Sequence, residues 1–233
     1  VKQDLWLSRV MNINCYNFTC SSIGEYLSFK RLNFDQKSFF VTLRTTKLPK
    51  YDLAEFDKTI LFITAMNNYF WIPDKNFSIS DNPFIKLYNI EDYKGVVDVA
   101  NHSFTADRFH KDSRISKSLA DRIKIEWLES NLLKCRETVT FVYISPFDKK
   151  VLGFNSLLIN KDSIAIDLIA VSTEFRRKGV GTALINAGKK LAQDRGLRLT
   201  VGTQKDNLAN SLYLKNGFIL HDVLFVSHDT SII

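Results

Sequence analysis

Arg176-Arg177-Lys178-Gly179-Val180-Gly181 sets three cations directly before a pair of glycines. An apolar stripe at helical spacing, Val180, Ala183, Leu184, Ala187 and Leu191, begins inside that pair. A helix opening here turns unpaired N–H groups and its positive dipole end toward a ligand. Gly179 and Gly181 let an anion approach the backbone closely, and arginine can grip phosphate with two donors. The segment Arg176, Arg177, Lys178, Gly179, Val180, Gly181 and Thr182 therefore suits a pyrophosphate, or is simply a glycine-rich turn with solvated basic residues. It is not a P-loop, because G-x-x-x-x-G-K-[ST] is absent. Nor is it a dinucleotide fingerprint, because Leu184 occupies the third glycine position of G-x-G-x-x-G.

Other residues offer acid–base chemistry. Asp167 lies four residues before Val171 on one apolar run, and reads as a base or as a hydrogen-bonded strand carboxylate. His102 and His110 are rival bases, since histidine titrates near neutrality. Tyr213, on its residues alone, reads as a core tyrosine with one partner for its hydroxyl. Phe104, Arg108, Phe109, His110, Lys111 and Arg114 make a basic, aromatic stretch. It could take a diphosphate and stack a base or sugar ring, or be a solvated loop.

The elements that must position these residues follow from hydrophobic period and breakers. A strand over Ser163–Val171 runs into the cationic turn, and a helix follows over Gly179–Arg195, stopped by Gly196. Strands over Phe84–Tyr88, Thr138–Ser145 and Val151–Ile159 precede them, with helices over Glu91–Asn101 and Ser116–Cys135. A strand over Leu197–Thr203, a helix over Asp206–Asn216 and a strand over Phe218–Val226 complete the order β-α-α-β-β-β-α-β-α-β. The three central strands are joined by links short enough for antiparallel hairpins. Before them, a helix over Ser22–Arg31 and strands over Ser38–Arg44 and Thr59–Ala65 suggest a smaller α+β unit. The turn-rich Asn76–Pro83 is the expected boundary, giving an accessory domain 1–83 and a main domain 84–233.

A chain of 233 residues fits one large or two small domains. No apolar run approaches the roughly 18 residues a membrane helix needs, and the first twenty residues hold no signal-peptide core. Cys15, Cys20 and Cys135 lack metal-ligand spacing and read as reduced thiols. These features lead us to expect a cytoplasmic protein with no metal and no membrane partner. The net charge of +7 favours anionic partners, but no nucleic-acid motif appears, so none is expected as a partner.

Val171–Leu184, V-S-T-E-F-R-R-K-G-V-G-T-A-L, resembles the acetyl-CoA signature of the GNAT N-acetyltransferases, R/Q-x-x-G-x-G/A, through Arg176, Gly179 and Gly181. Thr173 stands where many members have proline. Thr203–Phe218 is similar to the family's N-x-x-A-x-x-L-Y-x-K-x-G-F, with Asp206 at the Asn position and Asn207 beside it. The resemblance covers about 84–233. It implies a GNAT fold, α/β (α+β), with a mixed central sheet and flanking helices, beside the small N-terminal α+β domain. It implies acetyl-CoA or another short acyl-CoA as co-substrate. The diphosphate would lie on the amides of residues 176–182, the pantetheine along Ile169 and Val171, with Asp206 and Asn207 as further contacts. Tyr213 would protonate the leaving thiolate, and Asp167 matches a position where some relatives carry a base.

Phe104–His110, Arg114, the helix ending Trp127-Leu128-Glu129-Ser130-Asn131, and Thr203-Gln204 are similar to the TDP-fucosamine acetyltransferase branch. That resemblance implies a nucleotide-linked amino sugar as acceptor, for surface polysaccharide synthesis, touched by Phe104, Arg108, Phe109, His110, Arg114 and Gln204. A homodimer stays open. The competing readings are acylation of a protein N-terminus, lysine, polyamine or aminoglycoside, and a CoA-binding protein without turnover.

Overall fold

The computed structural model describes residues 1–33, 38–48, 57–74, 78–105 and 107–231. The chain begins with β1 (Lys2–Gln3), α1 (Leu5–Met11), β2 (Asn14–Cys20), α2 (Ile23–Asn33), β3 (Phe39–Thr45) and β4 (Ile60–Trp71). It continues with β5 (Ile85–Leu87), α3 (Tyr93–Asn101), the single-turn α4 (Arg108–Lys111) and α5 (Lys117–Leu132). Then come β6 (Thr138–Ile144), β7 (Val151–Ile159), β8 (Ser163–Val171), α6 (Val180–Asp194), β9 (Arg198–Gln204), α7 (Ala209–Lys215) and β10 (Ile219–Thr230). Two compact units result: Val1–Asn67, Ala106–Ile123 and Asp222–Ile233 form the first, and Asn68–Thr105 with Lys124–His221 the second. Among the described residues no helix is long and apolar enough to cross a membrane.

In the first unit the strands neighbour in the order β1-β2-β3-β10-β4. β2 and β3 run parallel and β3 and β10 antiparallel. The start of this unit holds elements absent from our sequence reading. Asp4 caps α1 by accepting the Leu7 amide at 2.9 Å, and Asn12 ends the helix in the left-handed region. Cys15 and Cys20 are buried and Cys135 is exposed, all with free thiols. Burial pushes the Cys15 thiol up to about 12 and the Cys20 thiol up to about 11.

The second unit has the strand order β4-β9-β8-β7-β6-β5. Neighbours are antiparallel from β5 to β8, while β8 and β9 are parallel. Helices cover both faces, which is the mixed sheet with flanking helices expected from the sequence. Ile164, Ile166, Leu157 and Ile185 of α6 share one core with Tyr69 and Trp71. Leu168, Ala170 and Phe154 share another with Val96 of α3 and Leu128 of α5.

The division between the units falls at Asn67/Asn68, not after Pro83, and the first unit takes back two later segments. β4 is long enough that its last residues, Tyr69 and Trp71, belong to the second core. The turn-like run expected to mark a boundary begins outside the described residues, at Asn76. A local run of turn formers could not reveal a strand that serves two cores.

Candidate active site

The β8–β9 ladder sets the geometry. It pairs Ser163 with Arg198 through Ile166 with Val201 and stops there, although β8 runs on to Val171 and β9 to Gln204. Parallel strands that stop pairing leave the facing N–H and C=O groups of both without ladder partners. Asp167 sits where they part. On the other edge of β8 the register with β7 steps from Leu157↔Ile166 to Ser156↔Leu168, so Asp167 is the extra residue of a β-bulge. The bulge reverses which face each residue takes. That is why Ile164 and Ile166 enter one core and Leu168 and Ala170 the other, despite even spacing. Ile169 returns to the α6 side.

Beyond Val171 the chain makes a short 3-10 turn over Thr173–Phe175, and Arg176 bonds back from Nε to the Val171 carbonyl at 3.1 Å. Arg177 and Gly179 both lie in the left-handed region, at φ 62° and 84°. For arginine that conformation is a local strain of the kind found at binding turns. Ala183 donates to the Gly179 carbonyl, and the six amides from Arg177 to Thr182 have no protein acceptor among the described residues. These free amides, with Arg177 and Lys178 exposed beside them, fit a diphosphate. A groove of about 710 Å³ meets this turn at Gly179 and Thr182 and runs along α6 past Asn186 and Lys190. Gly181 also has a packing role. A Cβ there would lie 3.2 Å from Leu212 Cδ2 of α7, so its smallness seats α7 against α6.

Tyr213 on α7 is 3% exposed. Its ring lies 5.7 Å from Phe218 and 6.1 Å from Tyr69. Burial pushes its phenol above the ordinary tyrosine range, and its hydroxyl makes no hydrogen bond among the described residues. Val171 and Ile169 stand half-buried on the stretch of β8 that has parted from β9, and Gln204 half-buried on the facing stretch of β9. Asp206 and Asn207 are exposed, and Asn207 Oδ1 caps α7 by accepting the Ala209 amide at 2.9 Å. The sequence reading missed Asn210. Its Nδ2 donates to the carbonyls of Gln204, Lys205 and Asn207, and its Oδ1 accepts the Tyr69 hydroxyl at 2.8 Å. It ties the β9–α7 loop together, and its place three residues before Tyr213 was the available signal.

The Asp167 side chain is 11% exposed. Its Oδ2 accepts from Trp127 Nε1 at 2.7 Å, Asn131 Nδ2 at 2.8 Å and an Arg136 guanidinium nitrogen at 2.6 Å. Trp127 and Asn131, four apart on α5, lie on one helix face, which explains their spacing in the sequence.

Most of the expected acceptor stretch is spent inside the first unit. Phe109 is fully buried, stacked 5.8 Å from His228 and 6.3 Å from Phe40. His110 is held between Asp107 and Asp121, each at 2.9 Å. Arg114 bonds both oxygens of Asp112 and the carbonyls of Thr59 and His228. Arg108 lies over the Phe109 ring at 4.3 Å. The reading of Phe109, His110 and Arg114 as ligand contacts is therefore corrected, because Phe40 and His228, distant in sequence, turn them inward. Ala106 lies outside the described residues. Phe104, in the second unit, is half-buried against Phe154, 6.3 Å away, with Lys124 Nζ 5.6 Å from its ring. His102 is exposed, its Nδ1 2.9 Å from the Asp98 carbonyl.

A sheet with two neighbouring inner strands that part at a bulge, followed by a turn of free amides opening a helix, defines an acyl-CoA-dependent transferase, and the chain belongs to the acetyltransferase (GNAT) family, whose model matches residues 98–218. Over 240 residues it is 25% identical to the spore coat polysaccharide biosynthesis protein SpsD of Bacillus subtilis (strain 168), covering 97% of this chain and 81% of that protein. Its fold is similar to that of a functionally unknown conserved protein from Staphylococcus epidermidis ATCC 12228, with a TM-score of 0.65 and 16% identity, covering 98% of this chain and 90% of that one. It is also similar to the PaiA N-acetyltransferase from Thermoplasma acidophilum in complex with coenzyme A, with a TM-score of 0.51 and 20% identity over 63% of this chain and 97% of that one.

Proposed function

We propose that this protein transfers an acetyl or other short acyl group from CoA to the amine of a nucleotide-linked amino sugar, a dTDP sugar by the resemblance to the fucosamine branch, for surface polysaccharide synthesis. The observation that carries the reading is the likeness to the spore coat polysaccharide protein, which extends over 97% of the chain instead of the transferase segment alone.

When bound, acyl-CoA supplies a thioester with an electrophilic carbonyl carbon and a thiolate leaving group. The free amides of residues 177–182 hold its diphosphate, with Arg176, Arg177 and Lys178 adding charge. The unpaired edge of β8 through Ile169 and Val171 pairs with the pantetheine, and a backbone N–H there polarises the carbonyl. Asp206 and Asn207 lie at the mouth of the β9–α7 loop as further contacts, and Phe104 and Gln204 serve the acceptor. Asp167 takes one proton from the acceptor nitrogen as that nitrogen bonds the carbonyl carbon. The C–S bond breaks, and Tyr213 gives its hydroxyl proton to the sulfur. Both groups then reset by exchange with water.

The test is a matrix of short acyl-CoAs against dTDP-linked amino sugars, lysine peptides and polyamines, read by mass spectrometry. An N-acylated nucleotide sugar is the expected product. Turnover confined to peptides or polyamines would refute the acceptor class.

A further inference from the structure

Among the described residues, the other aspartates sunk in the protein interior use both oxygens. Asp92 takes the Asn89 amide on Oδ2 and Lys86 on Oδ1. Asp107 divides Phe109 N and His110 Nδ1 between its oxygens. Asp112 divides the donors of Arg114 and His228, and Asp229 takes Thr59 on Oδ1 with Tyr26 and Lys30 on Oδ2. Asp167 departs from this pattern. All three of its donors converge on Oδ2, and Oδ1 makes no hydrogen bond among the described residues.

A carboxylate offers about four lone-pair sites, so a purely structural one gains by spreading its donors. Three donors on one oxygen instead fix the rotation of the group and leave the other oxygen unused. The residue so fixed is the bulge residue at the point where β8 and β9 part. We infer that Arg136, Trp127 and Asn131 are positioning residues: by holding Asp167 Oδ2 they keep Oδ1 aimed at the nitrogen of the acceptor amine. This rests on the acyl-transfer reading above, but it concerns the amine and not the nucleotide that carries it.

Arg136 is the only cationic donor of the three, and it lies on the loop after α5 with its side chain about a third exposed, outside the cores. Arg136→Met removes that hold, Arg136→Lys restores a cation without the planar fork, and Trp127→Phe deletes one donor while keeping an aromatic ring. The acceptor is the best amine returned by the matrix above. Arg136→Met should lower acceptor kcat/KM at least about tenfold while acyl-CoA affinity, measured by calorimetry, stays within about twofold. Arg136→Lys should recover part of that loss, and Trp127→Phe should show a smaller loss of the same kind. In the double variant Arg136→Met/Asp167→Asn the Arg136 effect should disappear, because its target is gone. Failure of every nucleotide sugar as acceptor sinks the substrate reading and moves this comparison to another amine. Wild-type acceptor kcat/KM in folded Arg136→Met and Trp127→Phe, or equal losses in acceptor kcat/KM and acyl-CoA affinity, overturns the positioning role.

Discussion

Tyr213 packs its ring into the second core, and its hydroxyl makes no hydrogen bond among the described residues. Burial holds its proton on through the neutral range, as an acid waiting for a thiolate requires. Tyr213→Phe deletes one oxygen and keeps the ring against Phe218 and Tyr69. The expected outcome is a kcat lower by about a hundredfold or more, with little change in KM and a melting temperature no lower than that of the parent. Steady-state kinetics and calorimetry check both halves. A kcat loss below about threefold would return Tyr213 to the core, with water as the proton source.

The parted ends of β8 and β9 and the turn after Val171 act together, and Gly179 marks the start of the helix they lead into. Gly179 has φ of 84° and nothing within 4 Å of the place a Cβ would take, so Gly179→Ala adds backbone strain and no clash. Left-handed alanine costs roughly 1–2 kcal/mol, and relaxing it turns the free amides away from their common focus. Acyl-CoA should then bind about tenfold more weakly, by calorimetry, while acceptor affinity in the absence of acyl-CoA holds. Gly181→Val should act on stability instead, by pushing Leu212 and α7 off α6. This contrast shows how far the sequence could be read. The strand, the cationic turn and the helix that follows were legible because their signals are local: a β-branched run, a glycine pair and a 3.6-residue stripe. The bulge was not, since it exists only in the register between β7 and β8. The role of Gly181 depends on Leu212, and the inward turn of Phe109 on Phe40 and His228. Each of those partners is fixed by tertiary packing that no window of sequence contains.

At the scale of the whole chain, the two units share no simple cut point. A fragment of residues 84–233 would strip Tyr69 and Trp71 from the second core, and losing one large aromatic side chain typically costs about 3–5 kcal/mol. That fragment should fail to show a cooperative thermal transition in calorimetry, whereas the full chain should show one. The first unit has a different weakness, which is acid. His228 is fully buried, with Nδ1 2.9 Å from Asp112, and Nε2 has no hydrogen-bond partner among the described residues. Burial lowers its pKa to about 4 from an ordinary 6.5, with the neighbouring Arg108 and Arg114 acting the same way and Asp112 opposing. Between those values the unfolded chain binds the proton that the folded chain refuses, so stability falls as pH drops from about 6.5 toward about 4, by up to roughly 3 kcal/mol. Arg114 and His228 hold the Asp112 carboxyl well below its usual range, so its contribution is present above its unfolded value near 3.8 and is lost below it, continuing the decline. Denaturant titrations followed through Trp6, which lies in the first unit, should trace this slope in the parent. His228→Asn can keep a donor toward Asp112 but cannot titrate, so its slope between pH 6.5 and 4 should flatten. An unchanged slope in that variant would place the acid sensitivity on other groups and leave His228 as packing alone.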